Sequence, residues 1–433
     1  MSRIRIGTTA TTAVVGWIVV ACLGLWLVSQ PFGLRWDFAN FYDTGRRVLT
    51  GHGSEIYDAT GTIADRAPLG VMRFWGVPLA GAMYVPMATM PARLAMAALK
   101  LQNALAIILG LVVLVRAFGG GRSRDRPVSQ PPGGTALVLL ALVFQPFWTV
   151  FLVGGQTTPV VFLCVAVTAA LFASGRVWAP GWVVSVALML KPAFVFLLIP
   201  FLVDRRVRFL AAVACSLAVL GALSVLAVGW PVHRVFLDRM MVGLGDDRLW
   251  QYNSALSVLF LNFSVPWPGA IDRLRMLGAL VRLAIAAWLV ALVWRSGRSW
   301  ADGPGRRLYV VFMGVLFFLL TSEILWEHYL MVLLVPALFV LLQRDLFSGR
   351  AVGLMGASVV ACVGQNIGIT LLVDRFVVVE TPLEALATGL WKTAPLLCMT
   401  VFLLTSHREL VTVLRAWAGP LSGRGAGRVP GRA

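Results

Sequence analysis

Arg35-Trp36-Asp37-Phe38-Ala39-Asn40-Phe41-Tyr42-Asp43-Thr44-Gly45-Arg46-Arg47 follows directly on an apolar run at about residues 9–29. The junction puts Asp37 at a membrane surface, where a carboxylate is costly unless water, a cation or a substrate meets it. Position alone leaves two readings, a functional carboxylate or a polar, solvated first loop. The same stretch runs on to Gly51-His52-Gly53-Ser54-Glu55-Ile56-Tyr57-Asp58, so the polar segment is long enough to fold.

Composition agrees with the membrane reading. Hydrophobic residues make up 59% of the 433 and charged residues 13%. Mean hydropathy is +0.84, outside the balance of a soluble domain. Further apolar runs fall at about 94–115, 135–153, 157–173, 180–203, 208–228, 273–294, 308–322, 329–342, 352–373 and 386–405. The expected fold is an all-α polytopic membrane protein of about 10–12 transmembrane segments, with interfacial helices in its extracytoplasmic loops. Residues 1–418 read as one integral-membrane domain, and 419–433 as a basic tail without fixed structure. The glycine- and proline-rich segment 119–134 reads as a flexible linker.

Arginines set the orientation. The first run lacks a small-residue cleavage site and reads as a signal-anchor helix, so Arg3 and Arg5 place the N-terminus in the cytoplasm. The clusters at Arg116–Arg126, Arg205–Arg208, Arg295–Arg307, Arg344–Arg350 and Arg408–Arg432 alternate as this topology requires. The run 180–203 is the exception, having Arg176 before it and Arg205-Arg206 after it. The Lys191-Pro192 pair resolves the conflict if this run is a hairpin broken at its middle, which is tolerated where backbone faces protein or a water-filled cavity. Both termini are then cytoplasmic. Most of the 19 acidic residues, Asp37, Asp43, Glu55, Asp238, Asp272, Glu323 and Glu327 among them, fall on the extracytoplasmic side. The +18 net charge is accordingly a cytoplasmic collar that contacts membrane lipids, and nucleic acid is not expected as a partner.

Two outer loops, 30–93 and 229–272, carry apolar residues at helical spacing among their charges and point to a site on that face. Lys191 is one of three lysines, with Lys100 and Lys392, and stands alone in an apolar stretch. It either pairs with an acidic side chain or awaits an anionic ligand. Gln156, in Gly154-Gly155-Gln156-Thr157-Thr158-Pro159, reads as a helix cap or a ligand contact. His328, in Ser322-Glu323-Ile324-Leu325-Trp326-Glu327-His328-Tyr329, is an interface residue or a catalyst with two carboxylates close by. Asn253 either binds a sugar hydroxyl or caps a helix. The cysteines are small core residues, and the scattered histidines and acidic residues show no metal-site spacing, so no metal and no cofactor are expected.

The order and spacing of Asp37-Phe38, Tyr42, Gly51 and Tyr57-Asp58, then Tyr84-Val85-Pro86 with Pro91, Gly155-Gln156, Gly181 to Lys191-Pro192, Asn253-Ser254 and Ser322 through His328-Tyr329 resemble one family. The chain is similar, from about Asp37 to about Leu342, to glycosyltransferase family 87, which includes polyprenyl-phosphate-dependent α-mannosyltransferases of the GT-C class. Two positions depart from the pattern: Val85 where a second proline is often expected, and Glu323 where proline is common.

The resemblance implies a GT-C-like bundle in the plasma (cell inner) membrane. It also implies transfer of a sugar, mannose being the first candidate, from a polyprenyl-phosphate donor to a glycan or glycolipid acceptor, with inversion on the extracytoplasmic face. Displacement of this kind needs a base for the acceptor hydroxyl and positive charge for the departing phosphate. Asp37 is the best base, with Glu323, Glu327 or His328 as alternatives. Lys191, with Arg35 or His328, is the best phosphate partner. Tyr42, Tyr84, Gln156, Asn253, Glu323 and Glu327 are the expected substrate contacts. Two other classes share much of this: a flippase or transporter of lipid-linked sugars, and a polymerase or ligase of lipid-linked glycans using a diphosphate donor. The long outer loop carrying Asp37 favours transfer.

Overall fold

The computed structural model describes residues 37–57, 74, 76–119, 144–153, 156–243, 253–376 and 381–417. The first apolar run, Arg35, the 120–134 linker and the basic tail lie outside the described residues. Among those described there is no β-strand, only one isolated bridge between Asn253 and Trp326.

Among the described residues sixteen α-helices follow in order. They are α1 (Asp37–Leu49), α2 (Pro78–Met83), α3 (Val85–Ala88), α4 (Ala92–Gly119), α5 (Gln145–Val153), α6 (Thr158–Ala173), α7 (Trp178–Leu190) and α8 (Ile199–Val203). Then come α9 (Val207–Val228), α10 (Trp230–Gly243), α11 (Val258–Leu261), α12 (Ile271–Arg298), α13 (Pro304–Thr321), α14 (Leu334–Leu342), α15 (Gly349–Phe376) and α16 (Pro382–Ala416).

Among the described residues, five helical stretches are long and apolar enough to cross a membrane: Ala92–Gly119, Val207–Val228, Pro268–Arg298, Pro304–Thr321 and Pro382–Ala416. Shorter apolar helices fill the spaces between them, among them Thr158–Ala173 and Trp178–Leu190. The all-α polytopic membrane fold expected from composition is the one observed. Exposed Leu101, Leu105, Leu109, Leu223, Leu226 and Leu283 line the outer sides of α4, α9 and α12, as helices facing lipid require. By contrast α13 is buried along nearly its whole length and forms the centre of the bundle.

Two chain reversals shape the interior. Helix α7 ends at Lys191, whose extended backbone (φ −144°, ψ 90°) precedes Pro192 and a 3₁₀ segment, Pro192–Leu198, that leads into α8. Proline lacks the N–H that would continue the α-helix and disfavours helical geometry in the residue before it. The start of α7 and the end of α8 lie at the same end of the bundle. The Phe172 and Phe201 rings are 5.3 Å apart, Arg206 stands 5.8 Å from the Phe172 ring, and Gly175 packs against the Arg307 guanidinium. Since α7 has 13 residues, it carries Lys191 about 20 Å from that end before the chain turns back.

The second reversal follows α13. Residues Ser322–Trp326 lead into another 3₁₀ segment, Glu327–Leu333, which returns through α14 to Gln343, whose Nε2 donates to the Phe118 carbonyl at 2.5 Å. The two 3₁₀ segments touch, with Phe194 4.0 Å from Phe318 and 5.6 Å from Tyr329, ring centre to ring centre.

An arginine clasp closes the opposite end. Buried Asp204 accepts from Arg206 at 2.6 Å and from Arg306 at 2.7 Å, while Asp302 holds Arg206 at 2.5 Å and Arg307 at 2.7 Å. One carboxylate serving two guanidiniums satisfies charges that would otherwise be costly at partial burial.

Candidate active site

Helix α1 sets the first side chain. Phe38 and Tyr42 face inward to meet Ala95, Met96 and Leu99 of α4, which turns Phe41 to stack on Tyr84 at 4.5 Å. Gly45 lies directly against the Tyr84 backbone, where a Cβ would come within 2.6 Å of its carbonyl. This close approach needs glycine. Asp37 occupies the first turn, where the positive end of the helix dipole favours a carboxylate. The packing of α1 therefore aims Asp37 at the turn before α6.

That turn supplies Gln156. Its Nε2 donates to Asp37 Oδ2, and its Oε1 accepts from Lys191 Nζ at 2.6 Å. The amide thus bridges an acid and a base at the mouth of the first reversal. Lys191 Nζ also stands 5.5 Å from the Tyr329 ring centre, on the second reversal. His328 is buried beside it, within electrostatic reach of Lys191, and its Nε2 has no hydrogen-bond partner among the described residues. Tyr84 hydrogen-bonds with Thr157 and adjoins Asp37.

Burial holds the Asp37 carboxyl above the ordinary carboxylate range, with the Lys191 charge and the Gln156 hydrogen bond pulling it part of the way back. Burial likewise pushes the Tyr84 phenol upward, so it remains a neutral hydrogen-bonding group. An acid of raised pKa is a better proton acceptor than a free carboxylate, and the Gln156 amide links it to the Lys191 amine.

The structure therefore gathers Asp37, Gln156, Lys191, Tyr84 and His328. Arg35 lies outside the described residues, and the polar contacts of the remaining expected residues lead to other partners. Tyr42 donates to the Met90 carbonyl at 2.7 Å. Asn253 Oδ1 accepts from the Leu325 and Ala255 amides at 2.9 and 3.0 Å, and its Nδ2 donates to the Glu323 carbonyl at 3.3 Å. Asn253 thus pins the second reversal in shape. The Glu323 side chain pairs with Arg282 of α12 at 3.4 Å. Glu327 turns away from Asp37 toward α5, where Gln145 Nε2 and Thr149 Oγ1 each donate to its Oε2 at 3.4 Å, and Lys392 of α16 lies within electrostatic reach.

Sequence reasoning passed over three residues. Asn103 on α4 donates to the Gln156 carbonyl at 2.8 Å. Thr157 meets Tyr84. Lys392 completes the polar group around Glu327. A polar side chain inside an apolar run was the available signal for Asn103 and Lys392, whereas nothing in the order of residues marks Thr157.

No group of three or more His, Cys, Asp and Glu side chains that could hold a metal ion occurs among the described residues. No curated protein and no solved structure matches the chain. A family model described as glycosyltransferase family 87 matches residues 74–323, more than half of the sequence and including Gln156 and Lys191. The chain belongs to glycosyltransferase family 87.

Proposed function

We propose that the protein transfers a sugar, mannose being the first candidate, from a polyprenyl monophosphate to a glycan or glycolipid acceptor, with inversion and on the extracytoplasmic face. The observation that carries this reading is the Asp37–Gln156–Lys191 chain beside the bare Nε2 of His328.

Asp37 accepts the proton of the acceptor hydroxyl as that oxygen attacks the anomeric carbon. The bond from this carbon to the phosphate oxygen breaks in the same displacement, and polyprenyl phosphate leaves with the electron pair. Lys191 neutralises its charge as a compact ammonium, and His328 Nε2 donates a further hydrogen bond when it carries the proton. Phosphate is already a good leaving group, so neutralisation serves better than full protonation. Arg35 is a further phosphate partner in this reading. Tyr84 and Gln156 orient the reacting groups, while Tyr42, Asn253, Glu323 and Glu327 act on substrate only through the walls they hold in place.

The face follows from charge. The clasp of Arg206, Arg306 and Arg307 marks one end of the bundle, and Asp37 is carried to the other. Retention of arginine on the cytoplasmic side then puts Asp37 outside, in the plasma membrane, with both termini inside. Purified protein in lipid, given a polyprenyl-phosphate sugar and a membrane-acceptor extract, forms a glycosylated acceptor in this reading. Flipping of the donor without transfer would refute it. An impermeant thiol reagent on intact cells labels Ser54→Cys and spares Ser422→Cys; the reverse pattern would overturn the proposed face.

A further inference from the structure

Asn103 is fully buried in α4, a helix long and apolar enough to cross a membrane. Its Nδ2 donates to the Gln156 carbonyl at 2.8 Å, while its Oδ1 has no hydrogen-bond partner among the described residues. A buried amide that is half satisfied is poorer for stability than an apolar side chain of the same shape. Asn103 is therefore explained by what its one bond holds.

That bond anchors the main chain of the turn that leads into α6. Gln156 follows Gly154-Gly155, which restrict the chain least, and precedes Thr157 and the start of α6, where Pro159 limits it. The Gln156 side chain must hold two geometries at once, donating to Asp37 and accepting from Lys191. A small rotation of the main chain at Gln156 moves both contacts together.

We infer that Asn103 is a positioning residue. By anchoring the Gln156 carbonyl, it keeps the amide of Gln156 as a spacer between Asp37 and Lys191, so the two charges stay coupled without collapsing into a direct ion pair. The carboxylate keeps a free oxygen for an acceptor hydroxyl, and the ammonium keeps donors for an anion. Among the described residues, the charged and titratable groups that act on Asp37 are Lys191, Tyr84 and Tyr329, with His328 beside Lys191, and the side-chain hydrogen bond of Asn103 goes to Gln156. The consequence for turnover rests on the proposed role of Asp37, but the geometry does not.

The test needs no substrate. N,N′-dicyclohexylcarbodiimide, a lipid-soluble reagent, modifies protonated carboxyl groups, so the pH midpoint of Asp37 labelling, read by mass spectrometry, follows its ionisation in lipid. Loss of the Gln156 hydrogen bond removes one contact that stabilises the carboxylate, so the midpoint moves to higher pH. Asn103→Leu keeps the volume and Asn103→Ala does not. Both are expected to raise the midpoint toward that of Gln156→Ala, and either substitution added to Gln156→Ala is expected to change it no further. Asn103→Leu should also melt at or above the wild-type temperature while transferring sugar at least tenfold more slowly. Wild-type midpoints in both Asn103 variants, or a further shift in the double variants, would overturn the inference. Full turnover in Asp37→Asn would refute the base and leave the positioning result standing.

Discussion

Two polar groups in this molecule are built from the same three kinds of side chain. Asp37, Gln156 and Lys191 meet where the two reversals touch. Glu327, Gln145 and Lys392 meet between α5, the second 3₁₀ segment and α16, with Thr149 added. Each is an acid, an amide and a lysine. They differ in access. Asp37 and Lys191 are only partly buried, while Gln145, Glu327 and Lys392 are all at or below 8% exposed. A charge pair open to one side can exchange its partner for a ligand, whereas a sealed pair can only hold its neighbours together. The same chemistry therefore reads as a reaction centre in one place and as a fastening in the other. His328 shows the division locally, since it lies beside Lys191 while the preceding Glu327 is turned to the sealed group.

The largest expected effect separates the two groups. Asp37→Asn keeps shape and removes basicity, and should lower transfer by roughly two to four orders of magnitude while leaving donor binding intact. Because burial raises the Asp37 pKa, the wild-type rate should fall with decreasing pH from a point above the ordinary carboxylate value of 3.8, as the base takes up its proton. Wild-type turnover in the Asn variant would end the claim that the open group is the reactive one.

Lys191→Met should weaken binding of a polyprenyl phosphate by about 10- to 100-fold, from the ~1.5–3 kcal/mol of a hydrogen bond to a charged group. Binding of the neutral polyprenol should be unchanged. Lys191→Arg should restore part of the loss, since the guanidinium is larger and planar. Equal weakening for both ligands would make Lys191 a structural charge like Lys392.

The sealed group should respond in stability instead. Glu327→Gln leaves the Lys392 charge without its acidic neighbour and should destabilise the protein by about 3–5 kcal/mol, read as a lowered melting temperature in detergent. Adding Lys392→Met should recover much of that loss. If Glu327→Gln instead changes donor affinity with no change in melting, the contrast between the groups fails. The smallest effect belongs to Tyr42→Phe, which removes one hydrogen bond to Met90 and should cost about 1 kcal/mol of stability. A hundredfold loss of transfer there would return Tyr42 to the substrate.

The sequence alone determined the class of fold, because long apolar runs have few ways to satisfy their backbone in lipid and helices are the local one. It also determined the break at Lys191-Pro192, since proline acts on its own neighbours, and it exposed Asp37, Lys191 and His328 as charges or rings in costly surroundings. The family was legible from the order of short motifs. Only the tertiary structure decided which polar residues meet. Gln156 read as a helix cap or a ligand contact, and its place as the link between Asp37 and Lys191 depends on residues 119 positions before it and 35 after it. Glu323 and Glu327 stood as alternatives to Asp37, yet one pairs with Arg282 and the other with Gln145 and Thr149. Composition and spacing act along the chain, whereas partner choice follows from how helices pack, and one turn of a 3₁₀ segment suffices to send adjacent side chains to different neighbours.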